Sequence, residues 1–196
     1  MHLQLLIVIN MNYETFNPKI HDVSKVAKLV YDVDFRTFDM LFKKPQDAVK
    51  TIEKDLRKGK TDEYFKVVLD DDGNIIGILI IYTSKTSHKF YFKSIRLLIV
   101  DILDHFVLCD IKKGDFYVAE IAIDESLRGQ GLGRKVLFDA IDYAKSKHYK
   151  RVILDADFRN AGAKALYEKI GFKVFNKKRL KIGSFERGMS NMELIL

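Results

Sequence analysis

The segment FYVAEIAIDESLRGQGLGRKVLFDAI, Phe116 to Ile141, constrains the fold of this chain more than any other stretch. Phe116 to Ile123 is an apolar run of strand composition that carries a single acid, Glu120. It runs into glycines at 129, 131 and 133, beyond which Val136, Leu137, Ala140, Ile141 and Ala144 recur at helical steps. A helix therefore starts close to the end of a strand. Backbone N–H groups in a first helical turn have no intrahelical partner, and the macrodipole adds positive potential there, so the loop suits an anion. The glycines remove Cβ atoms that would hold a diphosphate away from those N–H groups, and they tolerate positive φ. Arg128 and Arg134 bring guanidinium groups suited to phosphate oxygens to the same point.

The glycines alone do not decide the ligand, because a tight structural turn uses the same residues. The pattern is neither the G-x-G-x-x-G of a dinucleotide fold nor the G-K-[ST] ending of a P-loop. Asp155 and Asp157 nevertheless stand ~20 residues beyond it, near where a ribose-binding acid would sit, which keeps a dinucleotide-binding protein as an alternative.

A length of 196 residues suits one core, so the chain is expected to form a single domain over 1–196. A short strand is expected around Tyr13 to Phe16. Val23, Val26, Ala27 and Val30 then mark a helix capped by Asp22, and Ala48, Val49, Ile52 and Leu56 mark another between Pro45 and Gly59. Asp34 to Phe42, between them, is ambiguous. Tyr64 to Leu69 and Ile75 to Tyr82, joined by DDGN, predict a hairpin. Phe90 to Leu108 predicts an amphipathic helix with His105 at its surface. Arg151 to Asp155, Phe172 to Phe175 and Met192 to Leu196 read as strands, and Ala161 to Ile170 as a helix closed by Gly171.

One cysteine, Cys109, excludes an internal disulfide and a multi-cysteine zinc site, and no metal is expected. Without a paired histidine motif it reads as a small apolar residue. The opening MHLQLLIVIN is too short for a spanning helix and lacks the flanks of a signal peptide, so the expected location is cytoplasmic. The net charge of +7 favours an anionic partner, but basic and acidic residues are interspersed, so neither nucleic acid nor a membrane is expected to be one.

The second motif is FRNAGAKALYEKIGFKVF, Phe158 to Phe175. Asn160 is placed to cap a helix with Ala163 and Tyr167 along one stripe, and Leu166 and Ile170 along the neighbouring core-facing stripe. R-x-x-G-x-G at Arg128 to Gly133 and N-x-x-A-x-x-L-Y-E-K-x-G-F at Asn160 to Phe172 together resemble the GNAT N-acyltransferase superfamily, in order and in their separation by one helix and one strand. The resemblance is specific over Phe116 to Phe175 and architectural before it.

That resemblance implies an α/β (α+β) fold with a mixed, mostly antiparallel sheet splayed at a cofactor cleft and helices on both faces. It implies acetyl-CoA as acyl donor, its pantetheine arm beside Ile121, Ala122 and Ile123. The pyrophosphate would lie on Gly129, Gln130, Gly131, Leu132 and Gly133 with Arg128 and Arg134, and Asn160 and Ala163 would flank the cofactor arm. Tyr167 takes the position of the tyrosine that, in many relatives, protonates the departing thiolate. Family members often form a homodimer through terminal strands; the residues themselves do not fix the oligomeric state.

The acceptor chemistry can be weighed on its own. A primary amine of pKa ~10.4 is almost wholly protonated at neutral pH, and freeing its lone pair costs about 4–5 kcal/mol. A base is therefore useful, and Glu120 is the candidate, with Ala119 and Ile121 on the opposite side of the pleat. Backbone N–H groups around Ile121 to Ile123 are placed to stabilise an oxyanion. By the same resemblance the acceptor, a small molecule or a protein, would lie between the first helices and the loop joining the last two strands, here containing KKRLKIGSFERG, Lys177 to Gly188, with Asp34, Arg36 and Asp39 as further candidates. A non-catalytic acyl-CoA-binding sensor is the alternative to an enzyme.

Overall fold

The structure, a computed structural model, describes residues 10–59, 63–86, 102, 105–183 and 185–196. In chain order its elements are β1 (Asn12–Thr15), α1 (Val23–Val33), α2 (Phe35–Leu41), α3 (Pro45–Lys58), β2 (Phe65–Leu69), β3 (Ile75–Thr83), β4 (Asp115–Ile123), a 3-10 turn (Glu125–Leu127), α4 (Leu132–Ser146), β5 (Arg151–Asp157), α5 (Ala161–Ile170), β6 (Lys173–Ile182) and β7 (Phe185–Ile195). The strands form one sheet in the order β1-β2-β3-β4-β5-β7-β6. Every neighbouring pair is antiparallel except β4–β5, which α4 connects as a crossover helix.

Local chemistry explains the boundaries. Asp22 caps α1, its carboxylate accepting from the N–H groups of Ser24 and Lys25, and Pro45 opens α3. The ambiguous stretch after Asp34 is α2, whose seven residues are too few to display a helical period. Burial of Thr37 and Phe38 holds it in place. The helix expected over Phe90 to Leu108 falls largely outside the described residues. Of that stretch Ile102 and 105–107 are helical, with Val107 buried and His105 exposed.

Apolar faces pack on both sides of the sheet, as expected. Val26, Ala27 and Val30 of α1 and Ile52 of α3 meet Ile78, Ile80 and Ala122 on one side. Val136, Leu137, Ala140 and Ile141 of α4 meet Leu79, Val118, Val152 and Leu154 on the other. Each fully buried Val, Leu or Ile contributes roughly 1.5–3 kcal/mol, so α4 is docked far more strongly than its helix propensity alone would hold it.

Two expectations are corrected. Lys177 to Gly188 is not a loop: β6 and β7 continue as a hairpin through it, with Leu180 opposite Arg187, Lys181 opposite Glu186, and the turn at Gly183 at φ 61°. The stretch KKRLKI hides its strand period because β6 is an edge strand with a basic residue at half of its ten positions. Two copies pairing edge to edge through β6 would bring together Lys173, Lys177, Lys178, Arg179 and Lys181.

The second correction is in β4. Ile80 lies opposite Glu120 but Ile81 lies opposite Val118, so Ala119 is an extra residue and forms a bulge. Phe116 and Val118 before it, and Ile121 and Ile123 after it, all pack toward the α4 side. Ala119 packs with the α1–α3 side, as does Ala122, so Ala119 does not face away from Glu120 as plain alternation requires. The bulge coincides with a fork: β4 pairs with β5 only from Asp115↔Arg151 to Val118↔Leu154, while β5 runs on against β7 to Asp157.

Below the fork β3 approaches β4 so closely that a Cβ on Gly77 would lie 2.5 Å from the Ala122 carbonyl oxygen and 2.9 Å from Ile123 Cδ1. The oxygen is backbone and cannot step aside alone. Gly77→Ala is therefore expected to destabilise the fold by about 1–3 kcal/mol, read as a fall in thermal midpoint; an unchanged midpoint contradicts this packing.

Candidate active site

The divergence of β4 from β5 leaves a cleft of about 420 Å³ on the α4 side, lined by Ile121, Ile123, Leu127, Arg128, Gly129, Gly131, Leu132, Gly133, Arg134, Leu166 and Tyr167. Most residues predicted to hold a cofactor meet there. Ala122 does not: it is buried under the α1–α3 layer on the opposite face. Gln130 is exposed on the loop and is not part of the lining. Asn160 caps α5, its Oδ1 accepting from Ala163 N at 3.0 Å, and neither residue lines the cleft. Leu127 was not singled out from sequence, and Leu166, read there as a core residue, lines the cleft beside Tyr167.

The loop is built for an anion by its backbone. Gly129 and Gly131 both have φ near +80°, and Gly131 is the N-cap of α4 with no side chain capping the first turn. A Cβ at either would touch no protein atom within 4 Å. The requirement for glycine is thus the left-handed backbone, which costs an ordinary residue about 1–2 kcal/mol, and the space above stays open. Among the described residues no side chain caps the first-turn N–H groups.

The two arginines are not equivalent. Arg128 donates from Nε to Ile123 O at 3.2 Å and from Nη2 to Asp32 of α1 at 3.1 Å. Arg134 lies over the Phe138 ring at 5.3 Å on its own helix. Tyr167 packs on Phe172, and burial, reinforced by the negative charge of Asp155, pushes its phenol above its ordinary value. It therefore keeps its proton at neutral pH.

A polar cluster that the sequence did not reveal sits at the fork on the other face. Asp155, the first β5 residue past the last β4 pair, accepts from Tyr117 OH at 2.7 Å, Cys109 N at 3.0 Å and Cys109 Sγ at 3.2 Å, and from Asn191 Nδ2. Its carboxylate is filled, and Asp157 is held by Arg159. Neither is open to a ribose, which removes the feature that favoured a dinucleotide site. Burial, then the charge of Asp155, pushes the Cys109 thiol far up, so it is not a nucleophile. Only a dispersed set of partners, on β4, on β7 and in the segment before β4, could have announced this cluster, and no local motif links them.

Glu120 is half-buried on β4 opposite Ile80, at the fork. The acids proposed for the acceptor side already have partners: Asp34 pairs with buried Arg187, which also donates to Thr37, and Asp39 accepts from Tyr31 OH at 2.7 Å. Arg36 lies over Phe35 at 5.2 Å. The end of α1 therefore reaches β7 through Asp34 and the glycine loop through Asp32.

Further ion pairs tie α1 to that loop, Lys25 with Asp124 and Lys28 with Glu125. Lys25, then Ser126, holds the Asp124 carboxyl well below the usual carboxylate range. A depressed folded-state value gives stability that is present above the unfolded carboxylate value of ~3.9 and lost as pH falls below it. Lys25→Met is expected to lessen the loss of urea stability between about pH 5 and about pH 3; an unchanged difference would show that the pair plays no part.

Residues 29–172 match the model of the acetyltransferase (GNAT) family. A stretch of 62 residues is 31% identical to glucosamine 6-phosphate N-acetyltransferase of Trypanosoma brucei brucei, covering 32% of this chain and 40% of that protein. Another of 71 residues is 31% identical to N-alpha-acetyltransferase 30 of Schizosaccharomyces pombe, covering 34% and 47%. The chain thus matches less than half the length of these relatives. Among solved structures, an N-acetyltransferase from Staphylococcus aureus Mu50 shares the fold with a TM-score of 0.63 at 19% identity, covering 93% of this chain and all of that one. The C-terminal condensation domain of Ebony shares it at 0.66 with 10% identity, covering 96% and 100%. With a family match that spans most of its length, and with the forked sheet and glycine loop in place, this chain belongs to the GNAT acetyltransferase family.

Proposed function

We propose that the chain transfers an acetyl group from acetyl-CoA to a primary amine by direct attack in a ternary complex. The observation that carries this reading is the convergence of the glycine loop, the open edge of β4 and Tyr167 on one cleft. When bound, acetyl-CoA supplies the acyl group as a thioester. Uncapped N–H groups at the start of α4 fit its diphosphate, and open space over Gly129 and Gly131 leaves room for it.

The remaining chemistry belongs to side chains and strand backbone. Past Val118 the β5-facing edge of β4 has no strand partner among the described residues, so its peptide groups are available to an acyl carbonyl. Tyr167 holds the proton that the departing sulfur takes up. Glu120, at the bulge, accepts the proton that the attacking amine loses, either directly or through water. Donor and acceptor enter from opposite faces, since Ile121 and Tyr167 pack toward the α4 side while Ala119 and Ala122 pack toward α1. The acceptor is an amine of a small molecule or a protein, approaching between α2 and the β6–β7 hairpin.

Two measurements test this. Tyr167→Phe is expected to lower turnover by about ten-fold or more while the Kd for acetyl-CoA is retained; unchanged turnover removes Tyr167 from the reaction. Because burial raises its phenol above the ordinary tyrosine value, the parent's turnover should show no Tyr167-dependent decline up to about pH 9; a decline below that pH which Tyr167→Phe abolishes would contradict this. Gly131→Val forces a side chain into the left-handed region, and the expected result is loss of acetyl-CoA affinity by calorimetry. Binding without thiol release against a broad amine panel would instead favour a sensor, and binding of NAD or NADP in place of acetyl-CoA would overturn the donor assignment.

A further inference from the structure

Arg128 stands in the glycine loop, yet one edge of its guanidinium is turned toward the protein. Nε donates to the Ile123 carbonyl, which anchors the group at the loop, while Nη2 meets the Asp32 carboxylate across 96 residues of sequence. Asp32 is largely covered, with 16% of its side chain exposed, whereas Arg128 is 53% exposed. Asp32 also holds Lys28, one turn earlier on α1, at 3.2 Å. It can lose Arg128 without being left unpaired.

We propose that Asp32 is a positioning residue that limits the affinity of the loop for its donor: its carboxylate and the donor diphosphate compete for the same guanidinium of Arg128. The inference rests on the acetyl-CoA reading of the loop. A phosphate oxygen approaching Arg128 must draw the Nη edge from Asp32, and part of each new contact replaces one already present. Lys28 then keeps the carboxylate neutralised, which makes the exchange reversible. The consequence for turnover is release: a cradle whose cation is partly committed elsewhere lets go of the spent coenzyme more readily than one whose cation is free.

The sign of the effect separates this role from a structural one. If Asp32 only braces the loop, removing its charge loosens the cradle and weakens binding. If it competes, Asp32→Asn tightens coenzyme A, by about two- to five-fold for a partly exposed pair. Calorimetry with coenzyme A is the direct reading, with S-acetyl-pantetheine, which has no phosphate, as the second probe. The expected results are tighter coenzyme A binding by Asp32→Asn, no change for the phosphate-free probe, stronger product inhibition by coenzyme A, and near-parental affinity in Asp32→Glu. Glu125→Gln removes a nearby negative charge that pairs with Lys28 and not with Arg128, and is expected to leave coenzyme A affinity as it is. Unchanged or weaker binding by Asp32→Asn overturns the inference, as does equal tightening by Glu125→Gln, which would mark a general charge effect. If the unaltered chain does not bind coenzyme A, the proposed function fails and this inference with it; if it binds and only the Asp32→Asn result is contrary, the inference alone fails.

Discussion

The parting of β4 from β5, whose parallel ladder stops at Val118↔Leu154, is the constraint on which the rest of the molecule depends. At its base Arg151 of β5 grips buried Asp115 of β4 through two hydrogen bonds, of 2.7 and 2.9 Å, and reaches Glu193 of β7. Just past the last pair, the Asp155 carboxylate gathers Tyr117 from β4, Asn191 from β7 and Cys109 from the segment before β4. The Ala119 bulge then turns the face of β4 by one residue, which brings Ile121 and Ile123 onto the side where α4 begins. The ionic clamp and the filled carboxylate hold the two strands together up to their last pair, and the extra residue marks the point past which they part.

The electrostatics of the cleft follow from that geometry. Its positive character comes mainly from peptide N–H groups at the N-terminus of α4, oriented by two left-handed glycines, and such groups need no side-chain ordering when an anion arrives. The charged side chains nearby are largely committed to one another across α1 and the loop. Asp32 and Asp34, two residues apart, take the end of α1 to the glycine loop on one side and to Arg187 of β7 on the other. The α1–α2 junction thus joins the glycine loop to β7 through two ionic contacts.

Much of this was legible in the residues. Asp22, Pro45, Gly59 and Gly171 delimit helices where their chemistry says they should, and the Phe116–Ile123 strand and the Asn160-capped helix α5 stand where the residues place them. What escaped has physical reasons. The bulge depends on the register between β3 and β4, which alternation within one strand cannot report. The β6–β7 hairpin was hidden because an edge strand can carry charge at most positions, so KKRLKI shows no apolar period. Leu166 was read as core because helical spacing gives a face but not what lies opposite it, and opposite Leu166 is the fork. Asp155 and Arg187 draw partners from positions 36 to 153 residues away, and no spacing rule brings those together.

A crystal structure of the chain with coenzyme A tests the central claim most directly, that the forked strands and the helix start beside them form one donor site. The account predicts the diphosphate within hydrogen-bond distance of the N–H groups of Leu132 to Arg134, and the pantetheine chain running along the free edge of β4 past Ile121. Density for the diphosphate at any other surface, or a pantetheine chain lying outside the fork, would contradict it.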